Sequence, residues 1–165
     1  MFTKEQFIQS VEHESKICKH LFSKMPPGGL EYRPSPSQRS MLELLQYLTI
    51  IGATTVKGLV RNDWSQLGQD MENSKTRTAD RFCEDMDHQV EEIRHLLQPF
   101  TNEELMHKDT TTMINIPVKM GEGLVNLALK FLTAYRMQLF LYLKGAGVTN
   151  ISTANCWLGI DMPAK

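Results

Sequence analysis

Apolar residues recur at the three- and four-residue spacing of an amphipathic helix in four long segments of the chain. The first segment begins after Thr3, whose hydroxyl forms a capping-box pattern with Gln6, and it ends before Pro26. The second begins after a similar pair, Ser40 and Glu43, and extends to about residue 60. In each pair the two side chains can satisfy backbone N–H groups at a helix start, so both segments are predicted to be helices.

A long connection separates the third and fourth segments. The third runs from about residue 78 to residue 97 and ends before Pro99, and the fourth covers about residues 121–144. The connection contains residues 110–116, whose threonines and isoleucines favour an extended conformation. Residues 62–76 are polar and are predicted to form a surface connection with a short helical turn. Four amphipathic helices predict an all-α fold, a four-helix bundle.

The fourth helix is apolar over most of its circumference, which is typical of a helix that is buried on more than one side. Outside its core stripe, other faces carry Leu129, Met137, Phe140 and Leu141. Either the tail at residues 151–162 or a second subunit must cover these faces. The predicted core stripe consists of Leu124, Leu127, Ala128, Phe131, Tyr135, Leu139 and Tyr142.

Composition and charge exclude several classes of protein. The net charge of the chain is −1, which gives no global attraction for nucleic acid. Its length of 165 residues predicts a single domain over residues 1–165. The apolar uncharged run at residues 44–56 is too short to span a bilayer, so no membrane partner is expected. Three widely spaced cysteines without a CxxC pair, and an N-terminus unlike a signal peptide, predict a cytoplasmic location.

The spacing of the histidines does not suit a shared metal ion. His13 and His20 lie on the first helix, and His88 and His95 lie on the third. The two members of each pair are two helical turns apart, roughly 10 Å. All four are predicted to point away from the apolar stripes, into solvent.

Three further side chains on these helices are candidates for a special environment. Glu14 leans toward the apolar face of the first helix, where its carboxylate either reaches the bundle edge, the simpler interpretation, or points into a polar cavity. Cys18 lies in the stripe and is predicted to be a small core residue. Cys83, beside Arg81 near the start of the third helix, is the one cysteine with a nearby cation that could lower a thiol pKa, and an unreactive thiol is the simpler interpretation.

Two runs of residues resemble those of the DinB-like superfamily. After a proline-containing loop, residues 38–48 of the second helix read Gln-Arg-Ser-Met-Leu-Glu-Leu-Leu-Gln-Tyr-Leu, and residues 134–139 of the fourth read Ala-Tyr-Arg-Met-Gln-Leu. The resemblance covers most of the chain through the order and lengths of its helices. It implies an up-down-down-up bundle with a long connection from helix 3 to helix 4, in a bacterial, cytoplasmic homodimer.

The resemblance also implies a divalent metal, commonly zinc or nickel, held by one histidine on helix two and two on helix four. In this chain Tyr47 occupies the helix-two position, and Phe131 and Tyr135 occupy the helix-four positions. We therefore expect a degenerate site that binds no metal. Arg136 and Gln138 of the helix-four signature remain. The candidate cavity residues Tyr47, Phe131, Tyr135 and Gln138 either fill the site themselves or leave space for a small molecule.

Three functions are compatible with this sequence. The first is a metal-free protein that binds a small molecule or a partner in or on the bundle. The second is an enzyme of the same superfamily, either a thiol-dependent transferase or isomerase or a metal-dependent hydrolase, with Tyr135 as candidate acid and Gln138 as positioning group. The third is a dimeric structural protein that associates through the fourth helix, with Met137 and Phe140 at the interface.

Overall fold

The computed structural model describes residues 3–162. Strands β1 (Asp109–Thr111) and β2 (Pro117–Lys119) form an antiparallel pair. A π-helical segment, Leu124–Leu129, joins the sixth and seventh α-helices into one continuous helix. In chain order the α-helices are α1 (Lys4–Phe22), α2 (Met41–Arg61), α3 (Leu67–Ser74), α4 (Phe82–Leu97), α5 (Asn102–His107), α6 (Met120–Gly123), α7 (Lys130–Gly145) and α8 (Thr153–Trp157).

The two predicted capping boxes are confirmed. At the start of α1, Gln6 N donates to Thr3 Oγ1 at 3.2 Å, and Thr3 N donates to Gln6 Oε1 at 3.0 Å. At the start of α2, Glu43 N donates to Ser40 Oγ at 3.2 Å, and Ser40 N donates to Glu43 Oε2 at 2.7 Å. Each box gives partners to two backbone N–H groups at the helix start, which fixes where the helix begins.

Two clusters of buried apolar side chains show the directions of the four long helices. One cluster joins the first half of α1 to the second halves of α2 and α4 and to the start of the helix that ends in α7. The other joins the second half of α1 to the first halves of α2 and α4 and to the end of α7. The predicted up-down-down-up bundle is therefore confirmed. Representative residues are Phe7, Leu59, Ile93 and Leu124 in the first cluster, and Leu21, Leu44, Met86 and Leu143 in the second.

The connections contain more regular structure than the sequence predicts. Residues 62–76 include the helix α3, and Trp64 before it packs on Gly58. A Cβ at Gly58 would lie 2.6 Å from the indole ring, so glycine is required for this contact. Helix α4 begins at Phe82, after a 3₁₀ turn, rather than near residue 78. The predicted extended stretch at 110–116 supplies part of β1 and the hairpin turn.

The buried face of the fourth long helix differs from the predicted stripe because of the π-helical segment. A π turn contains more residues than an α turn, so the side chains that follow are rotated by about one residue position, roughly 100°. Leu132 and Arg136 are buried, whereas Phe131 and Tyr135, predicted to be in the core stripe, are half-buried. Leu127, within the π segment, is half-buried as well. The prediction was wrong at these positions because it assumed an ideal α-helix.

The side chain of Gln89 on α4 forms hydrogen bonds with the backbone in the middle of α2. Its Oε1 accepts hydrogen bonds from Gly52 N at 2.8 Å and Ala53 N at 3.2 Å, and its Nε2 donates to Leu48 O at 3.0 Å. Because the amide is buried, each of its polar atoms needs these partners. Gln89 therefore fixes the position of α4 along α2.

The C-terminal tail covers one side of α7, which is one of the two predicted alternatives. Helix α8 contacts both α1 and α7, and Cys156 Sγ lies 4.0 Å from Met137 Sδ. Leu141, on another face of α7, remains 56% exposed. Within residues 3–162, no helix has both the length and the apolar character needed to cross a bilayer.

Candidate functional site

Three of the four candidate residues, Tyr47, Phe131 and Tyr135, form an aromatic cluster where α2 meets α7. The ring centroids of Tyr47 and Tyr135 are 4.7 Å apart, and the rings meet edge to face at 75°. The Phe131 and Tyr135 centroids are 6.5 Å apart at 45°. Because these two residues are four apart on α7, their rings lie side by side. The aromatic cluster thus consists of three rings that pack on one another across the two helices.

The guanidinium of Arg39, which precedes α2, lies over the aromatic cluster. Its Cζ is 4.1 Å from the centroid of the Tyr47 ring and 5.8 Å from that of Tyr135. Cation–π attraction of this kind contributes about 0.5–1 kcal/mol at exposed sites and more when the cation is desolvated. Sequence reasoning missed Arg39, although it stands in the run at 38–48 that carries the DinB-like resemblance.

Gln138, the fourth candidate, is connected to Arg39 rather than to the rings. Its Nε2 donates to the Tyr142 hydroxyl at 2.7 Å, and that hydroxyl donates to the backbone O of Arg39 at 3.1 Å. These two hydrogen bonds tie α7 to the segment before α2. Gln138 therefore supports the backbone position from which Arg39 reaches the aromatic cluster.

Tyr47 is a neutral phenol. Burial raises the pKa of its hydroxyl, and the adjacent Tyr135 raises it further, although the positive charge of Arg39 opposes the shift. With its pKa above the ordinary tyrosine value, Tyr47 stays protonated at neutral pH. It offers a hydrogen bond and an aromatic face, but no phenolate.

The residues at the expected metal-ligand positions do not fit a divalent metal ion. Phe131 has no donor atom, and the hydroxyls of Tyr47 and Tyr135 are poor substitutes for imidazole. The Arg39 cation over the Tyr47 ring would also repel a second cation. In the part of the chain that the structure describes, no three His, Cys, Asp or Glu side chains are grouped so that they could hold a metal ion. The chemistry available here is aromatic stacking and hydrogen bonding.

A cleft of about 470 Å³ opens beside the aromatic cluster, between α2 and α3. Arg39 and Tyr47 form part of its wall, and Leu42 and Met71 add apolar surface. This volume is within the range of sites for small organic molecules. The other three candidate residues are not among those that line the cleft. Its remaining lining residues are Glu43, Gln46, Glu72, Ser74 and Lys75.

A buried ion pair, Glu14 with Arg136, lies on a neighbouring face of α7. Arg136 is 1% exposed and Glu14 is 8% exposed. Arg136 Nε donates to Glu14 Oε2 at 2.5 Å, and Thr133 Oγ1 donates to Glu14 Oε1 at 3.0 Å. Burial acts to lower the pKa of Arg136, but the hydrogen bond and charge of Glu14 outweigh it and raise that pKa. Arg136 therefore remains a cation inside the bundle.

The simpler interpretation of Glu14, a carboxylate at the bundle edge, is wrong. The sequence signal for its burial is its place in the apolar stripe of α1, between Val11 and Cys18. Its partner could not be identified from an ideal helical wheel, because the π-helical segment turns Arg136 toward the core.

Arg136 also holds the C-terminal tail. Its Nη1 donates to the backbone O of Cys156 and lies 3.3 Å from the Cys156 sulfur. Its Cζ is 4.9 Å from the centroid of the Trp157 ring. One side chain thus connects α1, α7 and α8.

The cysteines and His20 have structural surroundings. Cys18 is fully buried, as predicted, and burial raises the pKa of its thiol. Burial also raises the pKa of Cys83, which agrees with the simpler interpretation of an unreactive thiol. His20, predicted to be solvated, is half-buried, and its Nε2 lies 3.0 Å from Asn155 Nδ2. Burial lowers the pKa of His20, which favours the neutral ring that this contact requires.

The architecture that these elements form is the DinB-like four-helix bundle. It is similar to the crystal structure of YjoA, a DinB-like protein from Bacillus subtilis, with a TM-score of 0.69. The two sequences are 17% identical, and the match covers 89% of this chain and 96% of the YjoA chain. No family model matches the chain, and no curated protein matches its sequence significantly. The likeness therefore establishes the fold.

Replacing Arg136 by Met should lower the free energy of unfolding by about 3–5 kcal/mol, because the carboxylate of Glu14 then stays buried without its partner. Chemical denaturation measures this loss. Arg94→Met is the matched control, since it removes a partly exposed ion pair with Glu12 and should cost about 0–1 kcal/mol. Equal losses in the two variants would contradict the assigned role of Arg136.

Proposed function

We propose that this chain is a metal-independent binding protein with a DinB-like fold, and that a small organic molecule binds in the cleft beside the aromatic cluster. The observation that carries the proposal is the stack of Arg39 on Tyr47 in the wall of that cleft. An aromatic face, apolar walls and the donors of a fixed cation can recognise an organic ligand without a metal. The packed rings at the expected ligand positions support the same function.

An enzymatic function of the superfamily, such as thiol-dependent transfer or isomerisation, has less support from the site. The ring of Tyr135, the candidate acid, is packed against Tyr47 and Phe131. Gln138, the candidate positioning group, is hydrogen-bonded to Tyr142. Since neither Tyr135 nor Gln138 lines the cleft, binding without a chemical step is the simpler function for this geometry.

We also propose that the protein is a cytoplasmic homodimer. The thiols of Cys18, Cys83 and Cys156 are free, which suits a reducing compartment. Met137 is covered by the tail and Phe140 packs against the core, so the proposed interface moves from these residues to apolar side chains that stay exposed on α7 and in the tail. Such exposed apolar groups are typical of contact surfaces. They are Leu141, Trp157, Leu158, Ile160 and Met162.

Metal content tests the first part of the proposal. After dialysis with zinc or nickel, the wild-type protein should retain far less than about one ion per chain in elemental analysis. The triple variant Tyr47→His, Phe131→His, Tyr135→His should bind about one zinc ion, because two imidazoles on α7 then face a third from α2. The double variant that keeps Tyr47 is the control and should bind zinc more weakly. Stoichiometric metal in the wild type would contradict the proposal, and a folded triple variant without zinc would contradict the correspondence of positions.

A substitution that fills the cleft tests the binding site. In an NMR screen of small organic acids, bases and neutral compounds, the compounds that bind should shift the amide resonances of Leu42 and Met71. Leu42→Trp places an indole in the cleft and should abolish these shifts, because the space for the ligand is lost. Ile114→Trp, an exposed change in the β1–β2 turn, is the control and should preserve them. Equal binding to both variants, or no shifts at millimolar concentration, would refute the proposed site.

The proposed dimer is tested by its mass in solution. Leu158→Lys should lower the dimer fraction measured by light scattering, because it buries a charge in an apolar contact. Ile114→Lys makes the same change at another exposed apolar side chain, outside the tail, and should leave the dimer intact. A monomeric wild-type protein would contradict the homodimer.

A further inference from the structure

We infer that the ligand of the cleft is an organic monoanion, a carboxylate with an apolar body, and that the guanidinium of Arg39 binds its carboxylate. The inference rests on the proposed function, because it names the class of molecule that the same cleft takes. It depends on three features of the site: the free donors of Arg39, the charge balance around the cleft and the apolar side chains of its wall.

The donors of Arg39 are available to a ligand. Its guanidinium face is stacked on Tyr47, and stacking leaves the N–H groups in the guanidinium plane directed outward. Among residues 3–162, the guanidinium of Arg39 donates no hydrogen bond and forms no ion pair, and Arg39 engages Tyr142 only through its backbone O. A half-buried guanidinium needs water or a ligand as acceptor. Two parallel N–H groups fit the two oxygens of a carboxylate.

The other charged groups near the cleft already have partners. Lys75 Nζ lies 2.6 Å from Glu72 Oε1, and Arg33 Nη2 lies 2.9 Å from Glu43 Oε2. A backbone hydrogen bond at the start of α2, together with Arg33, lowers the pKa of Glu43, so that carboxylate stays ionised. The positive charge of Arg39 is therefore the one left unbalanced in this group. One unbalanced charge favours a monoanion over a dianionic phosphate ester.

The wall of the cleft fits an apolar body next to the carboxylate. Leu42 comes from the first turn of α2 and Met71 from the middle of α3, so both helices contribute apolar surface. The thioether of methionine adapts to aliphatic and aromatic groups alike. Gln46 Nε2 donates to the backbone O of Lys75 and of Arg77, each at 2.9 Å, which holds the end of α3 against α2. The cleft thus has a fixed width between the two helices.

Three probes of similar shape and different charge test the inference in the full chain. Phenylacetate is a monoanionic carboxylate, phenylacetamide is its neutral isostere, and phenyl phosphate carries the alternative anion. In NMR titrations, phenylacetate should bind the wild-type protein about tenfold more tightly than phenylacetamide, because only the acid forms charge-assisted hydrogen bonds with Arg39. It should also bind more tightly than phenyl phosphate.

Variants at Arg39 test whether this side chain distinguishes the charged acid from the neutral amide. Arg39→Gln should remove the preference for the acid over the amide, and Arg39→Lys should keep part of it, since lysine retains the charge but lacks the planar fork. Arg61→Gln removes an equal charge at the exposed far end of α2 and should leave the preference unchanged.

The outcomes separate this inference from the proposed function. Equal binding of acid and amide in the cleft, or an acid preference that survives Arg39→Gln, would overturn the inference and leave the proposed binding function intact. Tighter binding of phenyl phosphate would overturn the choice of a carboxylate. If none of the three probes shifts cleft resonances, the inference fails, and the proposed function fails with it only if the wider screen of compounds also produces no shifts.

Discussion

Arg136 can stay buried in the bundle because Glu14 and the backbone O of Cys156 accept its N–H groups, and this requirement constrains three separate parts of the chain. Helix α1 must place the Glu14 carboxylate next to the Arg136 guanidinium, and the C-terminal tail must pack against α7 so that Cys156 O reaches the same guanidinium. A buried pair adds little net stability over well-packed apolar residues, yet losing one partner is costly. We infer that the pair acts on specificity: packings of the four helices that leave either charge without a partner are strongly disfavoured.

The π-helical segment decides what each face of α7 contacts. Tyr135 and Arg136 are adjacent in sequence, but one packs on Tyr47 of α2 and the other pairs with Glu14 of α1. Successive residues of a helix are rotated by roughly 100° about its axis. One additional residue in the preceding turn therefore makes each later side chain point where the side chain before it would point in an uninterrupted α-helix. The same segment therefore places the ion pair in the core and the aromatic cluster at its edge.

Much of this fold could be predicted from sequence, because its determinants are local. The capping boxes at Thr3 and Ser40 gave both helix starts, and the apolar period gave four helices in the observed order. The meeting of Tyr47 with Tyr135 followed from the family resemblance. Arg39 could not be found in this way, because its position depends on a loop and on a contact between helices. Burial of Arg136 required the π turn, which has no simple signal in the spacing of apolar residues.

In the proposed function, the positive charge of the site comes from a side chain and not from a metal ion. A metal site obtains its cation from solution and loses it to acid or to chelators. In this chain the cation is the Arg39 side chain, stacked on Tyr47 and attached to a backbone carbonyl that the Tyr142 hydroxyl holds in place. Because a guanidinium stays charged across the physiological pH range, the positive charge is present without any cofactor. In the proposed function, recognition of an anion therefore depends on the packing of α2 against α7.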